Sequence, residues 1–381
     1  MKKRLLAMLL PAVLLLSLAL PAMAAGPEVA APSAILMEAS TGRILYEKKA
    51  NERLHPASVT KIMTLLLVME ALDDGRISWE DTVTASAAAS AKGGSQIYLR
   101  ENERMSLRDM LKSVVVASAN DCAAALAEHI AGSESAFVAM MNERAAELGM
   151  QDTHFVNCTG LDDGENAAEH LTTAADIAVM SRELLKHDEI RQFTTIWTDT
   201  VRGGQFGLSN TNKLIRFYDG ATGLKTGYTS GAGYCISATA ERDGMELIAV
   251  VMHCASSTER FESAKALLNW GFSGYALAHP EPEAPLAPIP VKLGTKSAVQ
   301  PVPAENAPIL IEKAQQSRIA CETEVSPSLT APVEVGQQVG TLTVRAGDTV
   351  LAELPLVAAE AVPRLTWMQL TLRFLRQMCG G

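Results

Sequence analysis

The sequence has little positive charge. Its 381 residues include 33 lysines and arginines against 43 aspartates and glutamates, which gives a formal net charge of −10 at pH 7. Proteins bind nucleic acids largely through contacts between basic side chains and phosphates, so this balance argues against such a partner. We therefore expect no nucleic acid among the ligands of this chain.

Metal-binding motifs are also missing. Neither a Cys-x-x-Cys pair nor a His-Glu-x-x-His sequence occurs, and these are spacings that typically hold zinc. The chain has only six cysteines. Four of them lie in apolar or mixed stretches, where buried free thiols are as compatible with the sequence as disulfides are: Cys122, Cys158, Cys235 and Cys254. We expect no metal, no cofactor and no essential disulfide.

A long uncharged apolar run lies at the N-terminus. It covers residues 5–20, follows three basic residues and precedes a small-residue site that ends at Ala24. This order is typical of a secretory signal peptide. An uncleaved anchor is the alternative, although the run is short for a membrane span. We predict that residues 1–24 are removed, which leaves a mature protein of formal charge −13 that works outside the cytoplasm.

The remaining chain alternates between strand and helix patterns. Strand-like runs at both ends of residues 26–278 enclose a long stretch, about residues 80–185, with apolar residues at helical spacing. Strands from distant segments imply an α+β fold, in which an antiparallel sheet is flanked by helices and carries an all-helical insert. The expected strands are 34–38, 43–48, 221–228, 234–241 and 246–252, and the final helix is 257–270.

The composition changes after this first domain. Prolines over residues 279–290 predict a stiff linker, and short strand-like runs over 291–361 predict a small β-rich domain. Residues 363–381 form a basic amphipathic pattern that is too short and too polar to span a bilayer. We predict a helix that attaches to a membrane surface. Docking of this helix on a neighbouring domain is the alternative.

The predicted chemistry begins with Ser58 and Lys61, just ahead of the apolar run 62–69. Pro56 disfavours helix before it, and the run is typical of a buried helix that ends near Gly75. Both polar side chains would then share one helical face. A desolvated lysine has a lowered pKa, and its neutral amine can accept a hydroxyl proton. Alternatively, Ser58 is only a helix cap and Lys61 only a surface residue.

Two more polar patterns interrupt uncharged surroundings. Ser118 and Asn120 stand at what the sequence indicates is a junction between helices, and a Lys-Thr-Gly sequence at 225–227 lies on a predicted strand. Taken alone, the first pattern is compatible with a helix N-cap and the second with an edge-strand lysine.

Together, the three patterns point to one family. Ser-x-x-Lys, Ser-x-Asn and Lys-Thr-Gly each occur once, in this order. From about residue 26 to its end, the chain resembles the serine D-alanyl-D-alanine carboxypeptidases, which are low-molecular-mass penicillin-binding proteins. One departure is Ala119 within the second pattern, where related enzymes often carry glycine. The resemblance implies a fold of the β-lactamase/transpeptidase type.

The resemblance also implies catalytic roles. Ser58 would attack the carbonyl between two terminal D-alanines, with Lys61 as general base. Ser118 would relay a proton to the departing amine, and Asn120 would orient Lys61 and hold the substrate amide. These four residues are the expected catalytic set.

Substrate binding would fall to the third pattern and the residue after it. Lys225 and Thr226 would bind the terminal carboxylate, Gly227 would complete the motif, and the N–H of Tyr228 would join that of Ser58 in an oxyanion hole. By analogy, Lys213 is a weaker candidate for the carboxylate site. His170 and Asp176 have no assigned role.

The implied function is removal of the terminal D-Ala from peptidoglycan stem peptides ending in D-Ala-D-Ala, in cell-wall synthesis and remodelling. β-Lactams would be covalent inhibitors, and the terminal helix would hold the enzyme at the outer face of the cytoplasmic membrane.

Two other functions compete with this interpretation. A class A β-lactamase uses Ser-Asp-Asn and a separate glutamate, for which Glu165 and Glu169 are the nearest candidates. A β-lactam sensor without turnover would show loss of a motif residue or a membrane-spanning segment joined to a signalling region, and the sequence has neither.

Overall fold

The computed structural model describes residues 26–164, 166–282, 284–305 and 308–378. The predicted signal peptide, Glu165, Cys379 and the side chain of Arg376 therefore lie outside the part that the structure describes.

The first region, up to residue 278, mixes strands and helices. Its strands are β1 (Ser33–Glu38), β2 (Ile44–Lys48), β3 (Thr82–Thr84), β4 (Arg104–Ser106), β5 (Thr198–Val201), β6 (Phe206–Ser209), β7 (Ala221–Thr229), β8 (Gly233–Arg242), β9 (Met245–Cys254) and β10 (Tyr275–Ala278). Its helices are α1 (Lys61–Asp73), α2 (Ala87–Ser90), α3 (Leu107–Val116), α4 (Asn120–Ala131), α5 (Glu134–Glu147), α6 (Ala174–Leu185), α7 (Arg191–Thr194), α8 (Leu214–Phe217) and α9 (Ser257–Gly274), and 3₁₀ turns occupy Ala57–Thr60, Ala167–Glu169 and Asp188–Ile190.

A five-stranded antiparallel sheet joins the two ends of this region. Its strand order is β2-β1-β9-β8-β7, so β1 pairs with its hairpin partner on one side and with β9, more than two hundred residues later, on the other. β7 forms an open edge of the sheet. The predicted antiparallel sheet of distant segments is confirmed.

Both faces of the sheet are buried. In β1, Ile35 and Met37 pack into the core shared with the helical region, whereas Ala34 and Leu36 pack on the opposite side with α9. Because alternate side chains of a strand point to opposite faces, a sheet covered on both sides gives nearly continuous apolar strands. This explains why the sequence of these strands shows little alternation.

α1 passes through the middle of the larger core. It is apolar on all sides, and buried side chains run from Lys61 through Ala71 on almost every position. Such a helix is stable only inside a protein. It ends at Asp73, and Gly75 follows in the left-handed region at φ +68°. The predicted buried helix is confirmed.

The insert is not entirely helical, so that prediction is wrong in detail. β3 pairs with β4 within it, and β5 pairs with β6 just after it. β3 and β4 have three residues each, of which only the middle residue, Val83 or Met105, is buried. Strands this short carry too few residues to show a period of two.

The second region is rich in strands, as predicted. It contains β11 (Ile289–Lys292), β12 (Ala298–Val299), β13 (Pro301–Pro303), β14 (Ile309–Glu312), β15 (Ile319–Val325), β16 (Leu329–Thr330), β17 (Gln338–Ala346) and β18 (Thr349–Ala358), with a 3₁₀ turn at Lys313–Arg318 and a final helix α10 (Trp367–Met378). Its own core includes Val291, Val339 and Val362. β14 pairs with β10, so the two regions are joined by a small sheet as well as by the chain.

The sheet core yields a stability prediction. Ile35→Ala should lower the free energy of unfolding by about 2–5 kcal/mol, because Ile35 is fully buried in a central strand and its truncation leaves a cavity. Ile44→Ala is the matched control, since Ile44 is 47% exposed on β2 and should cost less than about 1 kcal/mol. Equilibrium unfolding in urea, followed by circular dichroism, measures both changes. Equal midpoints for the two variants would contradict the proposed core.

Candidate active site

Ser58 lies in the 3₁₀ turn that leads directly into α1. Its neighbours Ala57 and Val59 are buried, whereas Ser58 is partly exposed. The hydroxyl bonds the Lys61 side chain and does not cap the helix. A serine that is reachable from solvent and paired with an amine is suited to nucleophilic chemistry.

Lys61 is fully buried and sits beside that hydroxyl. Its Nζ is 2.9 Å from Ser58 Oγ and 2.8 Å from the carbonyl oxygen of Thr159. Burial lowers the pKa of Lys61 to about 7, although nearby Cys158 and Asp121 partly oppose this shift. A large fraction of the amine is therefore neutral near pH 7 and able to accept a proton. A snorkelling surface position is inconsistent with this burial.

Ser118 lies in the short turn between α3 and α4, and Asn120 is the first residue of α4. Ser118 takes a left-handed conformation at φ +61°. Asn120 Nδ2 donates to the Gly93 carbonyl at 2.7 Å, and its backbone N–H donates to the Ser95 carbonyl at 2.7 Å.

Two polar atoms of this pair are buried without a partner among the described residues. They are Ser118 Oγ and Asn120 Oδ1. An unsatisfied buried polar group costs about 1–3 kcal/mol, so native structures rarely retain one without a reason. A bound peptide would satisfy both atoms, and we interpret them as ligand-binding groups.

Lys225 lies on β7, the edge strand, but its ammonium is turned inward. The residue is 1% exposed, and its Nζ donates to the Thr226 carbonyl at 3.2 Å. Burial, with added repulsion from Lys61 and Arg260, holds the pKa of Lys225 well below its usual range. An anion bound here would offset the cost of burying this charge.

Gly227 allows β7 to approach the turn that carries Ser58. A Cβ atom on Gly227 would lie 2.7 Å from the Pro56 carbonyl oxygen and 3.0 Å from the backbone nitrogens of Ser58 and Val59. Only glycine fits this approach without movement of the backbone. The strand and the turn therefore lie in close contact, which brings the part of β7 that carries Tyr228 near the backbone of Ser58.

Arg260 supports the same part of β7 from α9. Its Nη1 donates to the carbonyl oxygens of Gly227 at 3.0 Å and Cys235 at 3.2 Å. On the same strand, Thr226 Oγ1 donates to Thr211 Oγ1 at 2.7 Å. Lys213, the weaker candidate, is exposed at the start of α8 and has no hydrogen bond from its ammonium in the described structure.

Several supporting residues were not predicted from the sequence. Thr159 acts through its backbone carbonyl, which has no sequence signature. The Asp121 carboxylate accepts the backbone N–H groups of Ile97 and Leu99, and its position next to Asn120 was the available signal. Arg260 is buried, but arginines on amphipathic helices often lie at the surface, so its sequence context does not indicate this burial.

The unassigned residues have structural contacts. His170 Nδ1 accepts from the backbone N–H of Val156, so its Nε2 proton donates to Thr60 Oγ1 at 2.8 Å. Burial lowers the pKa of His170 to about 4, which keeps this ring neutral and holds the turn before α1. Asp176 accepts from Thr153 Oγ1 at 2.7 Å.

Comparison with protein families gives two matches. Residues 21–256 match the Peptidase S11 family, described as D-alanyl-D-alanine carboxypeptidase. Residues 282–364 match the C-terminal domain of penicillin-binding protein 5.

Individual relatives agree with these matches. The chain is 41% identical to D-alanyl-D-alanine carboxypeptidase DacF of Bacillus subtilis, over 99% of this chain and 98% of the relative. It is 34% identical to DacC of Escherichia coli, over 88% and 85% of the two chains.

Solved structures show the same likeness. Penicillin-binding protein 5 of Haemophilus influenzae superposes with a TM-score of 0.77 at 30% identity, over 89% of this chain and 99% of that one. Penicillin-binding protein D2 of Listeria monocytogenes, in its ampicillin-bound form, superposes with a TM-score of 0.59 at 32% identity, over 64% and 98%.

The close approach of β7 yields a second prediction. Gly227→Ala should reduce the rate constant of acylation by penicillin about 100-fold or more, because the added methyl group pushes the strand away from the Ser58 turn. Gly207→Ala is the control, since a Cβ on that strand glycine of β6 meets no atom within 4 Å. Stopped-flow labelling measures both variants, and an unaffected Gly227→Ala enzyme would disprove the tight contact.

Proposed function

Because the chain belongs to the D-alanyl-D-alanine carboxypeptidase family, we propose that Ser58 is the nucleophile with which it removes the terminal D-Ala of peptidoglycan stem peptides. The observation that carries this assignment is the 2.9 Å contact between Ser58 Oγ and the buried amine of Lys61. The enzyme is a serine-type peptidase and acts in cell-wall synthesis and remodelling.

Acylation begins with proton transfer from Ser58 to neutral Lys61. Ser58 Oγ then forms a bond to the carbonyl carbon between the two D-alanines. General base catalysis of this kind contributes about 10²–10⁴ in rate. The backbone N–H groups of Ser58 and Tyr228 stabilise the oxyanion, and each such donor is worth about 10²–10³.

Ser118 assists departure of the terminal D-alanine. Its hydroxyl lacks another partner in the described structure, so it is available to pass the proton from Lys61 to the leaving amine. The C–N bond then breaks and leaves an acyl-enzyme on Ser58. Water hydrolyses this ester with Lys61 again as base, and the shortened peptide leaves.

Substrate orientation depends on an anion site in an acidic protein. Asn120 Oδ1, also without a partner among the described atoms, accepts the substrate amide N–H. Lys225 and Thr226 bind the terminal carboxylate. The formal charge of −13 on the mature chain repels anionic peptides at long range, so a local amine that becomes charged beside the bound carboxylate is needed.

β-Lactams act as covalent inhibitors by acylating Ser58. A class A β-lactamase activity is less well supported, because Ala119 stands where that class has aspartate. Glu169 is exposed and makes no hydrogen bond to Ser58, Lys61, Ser118 or Asn120. The retained motifs also argue for turnover, against a sensor that acylates once.

The state of Lys61 yields a pH prediction. The acylation rate should rise about tenfold per pH unit below pH 7 and level off above it, because only the neutral amine accepts the Ser58 proton. The midpoint should lie near pH 7, where burial sets the pKa of Lys61. Mass-spectrometric rates of penicilloyl-enzyme formation from pH 5 to 9 give this curve.

Two variants complete the pH experiment. Lys61→Arg should show almost no acylation at any pH, because guanidinium stays protonated. Ser58→Ala should neither bind penicillin covalently nor release D-alanine from a peptide ending in D-Ala-D-Ala. A covalent penicillin adduct that still forms on Ser58→Ala would contradict the assignment of Ser58 as the nucleophile.

We further propose that the mature enzyme works outside the cytoplasm and is held at the outer face of the cytoplasmic membrane by α10. No helix in the described ranges is long and apolar enough to cross a membrane. α10 instead exposes its apolar side chains: Trp367 is 89% exposed and Phe374 is 61% exposed. Arg364 and Arg373 supply positive charge for an anionic surface.

The exposed face of α10 yields the fourth prediction. Phe374→Glu should reduce co-sedimentation of mature protein with anionic vesicles several-fold, because it places a charge in the face that would be buried among lipids. Gln369→Glu adds the same charge on the polar face and keeps the cap to Thr366, so it is the matched control. Peptide turnover should be unchanged in both. Equal partitioning of the two variants would refute the membrane role.

A further inference from the structure

Two backbone carbonyls orient the proposed catalytic side chains. The Gly93 carbonyl accepts from Asn120 Nδ2 at 2.7 Å, and the Thr159 carbonyl accepts from Lys61 Nζ at 2.8 Å. Neither carbonyl belongs to a helix or strand. The geometry of both catalytic residues therefore depends on how two loops are held.

A single carboxylate connects these loops. Glu134 Oε2 lies 2.5 Å from the ammonium of Lys92, the residue before Gly93. Its Oε1 accepts from the backbone N–H of Cys158 at 3.4 Å and from the Cys158 thiol at 3.3 Å. Cys158 is the residue before Thr159, so each partner of the carboxylate is adjacent to one of the two carbonyls.

The surroundings favour an ionised Glu134. It is the first residue of α5, where the helix dipole stabilises negative charge. Burial raises its pKa, but the Lys92 ammonium and the hydrogen bonds from Cys158 outweigh this and hold the pKa below its usual range. Burial also raises the pKa of Cys158, which keeps the thiol protonated and able to donate. Side chains of Glu134 and Lys92 are each 23% exposed, so solvent screens their ion pair only in part.

Both loops lie tight against the catalytic residues. A Cβ on Gly94 would be 2.8 Å from Asn120 Nδ2, so the first loop has no room to move inward. The second loop is fixed internally by Asn157 Oδ1, which accepts from the N–H groups of Thr159 and Gly160. Each loop is thus held against a catalytic side chain, and Glu134 contacts both loops.

We propose that Glu134 is a positioning residue. It connects the loop of Gly93, whose carbonyl accepts from Asn120, to the loop of Thr159, whose carbonyl accepts from Lys61. This inference rests on the proposed function, because it concerns residues whose catalytic roles are proposed there. Loss of the tie should let the two loops separate, misplace both side chains and admit water to Lys61. A displacement of about 1 Å can cost about 100-fold in rate.

The test is Glu134→Gln, which keeps the size but removes the charge and leaves one acceptor oxygen where the carboxylate has two, so the bonds to both Lys92 and Cys158 are weakened. We expect acylation by penicillin at pH 7 to fall at least about tenfold. Glu70→Gln is the matched control. Glu70 bonds Arg144 at 2.8 Å, the two side chains are 21% and 24% exposed, and neither touches the proposed active site. The control should acylate at the rate of the unaltered enzyme.

The pH dependence separates positioning from simple loss of stability. The charged or titratable groups that act on Lys61 are Asp121, Cys158, Lys225 and His170. Glu134→Gln removes none of them, but water admitted between the loops would raise the pKa of Lys61 toward its usual value. The midpoint of the acylation curve should therefore move to higher pH, and the tenfold deficit should shrink at pH 9. A merely structural ion pair would give the same deficit at every pH.

Lys92→Met removes the ammonium that bonds Glu134 and so breaks the connection at the loop of Gly93. It also provides a second test if Glu134→Gln folds poorly. Its kcat/KM for the peptide should fall about tenfold, because the loop of Gly93 moves and misplaces Asn120. The pH midpoint of acylation should not change, because Glu134 remains bonded to Cys158. The double variant should be no slower than Glu134→Gln alone, since both break one connection.

The outcomes are distinguishable. Acylation by penicillin that persists in Ser58→Ala, with Glu134 unchanged, would refute the proposed function. In a Ser58-dependent enzyme, the positioning role is overturned if Glu134→Gln matches Glu70→Gln at every pH, or if Lys92→Met turns over peptide at the normal rate.

Discussion

The structure depends on a lysine amine that is buried beside a serine hydroxyl, with no carboxylate of the described ranges in contact. Among the described residues, Lys61 bonds only Ser58 Oγ and the Thr159 carbonyl, and Asp121 acts on it from farther away. Removing a cation from water without a partner is costly, so the protein stabilises the neutral amine instead. Burial disfavours the charged amine of Lys61, and the neutral amine that results can accept a proton at neutral pH. Burial also holds the pKa of nearby Lys225 well below its usual range, and an anion bound beside it would favour the charged form of this amine.

The rest of the fold keeps this amine dry and the hydroxyl reachable. α1 carries Lys61 in a buried helix, and the sheet covers one side of it because β1 and β9 pair the two ends of the first region. Gly227 and Gly160 let a strand and a loop reach the turn of Ser58, since a Cβ at either position would strike its backbone. The proposed tie through Glu134 joins the two loops whose carbonyls bond Asn120 and Lys61.

Much of this arrangement could be predicted from the sequence, and the reasons are local. Ser58, Lys61, Ser118, Asn120 and Lys225 stand out because polar residues interrupt apolar stretches, and the long strands and helices follow from their periodicity. The short strands of the insert were missed because each has one buried residue. Thr159 and Gly93 were missed because they act through carbonyls, and Glu134 because its partners, Lys92 and Cys158, are distant in sequence. Contacts of this kind are set by tertiary packing and leave no pattern along the chain.

The central claim is that Lys61 is a neutral base near physiological pH. An NMR titration of the mature enzyme with ¹³Cε-labelled lysine tests it most directly, with the Lys61 signal assigned by its disappearance in Lys61→Arg. We expect a midpoint for Lys61 near pH 7, because burial lowers its pKa to about 7. A Lys61 signal that titrates near pH 10, as an exposed lysine does, would contradict the account.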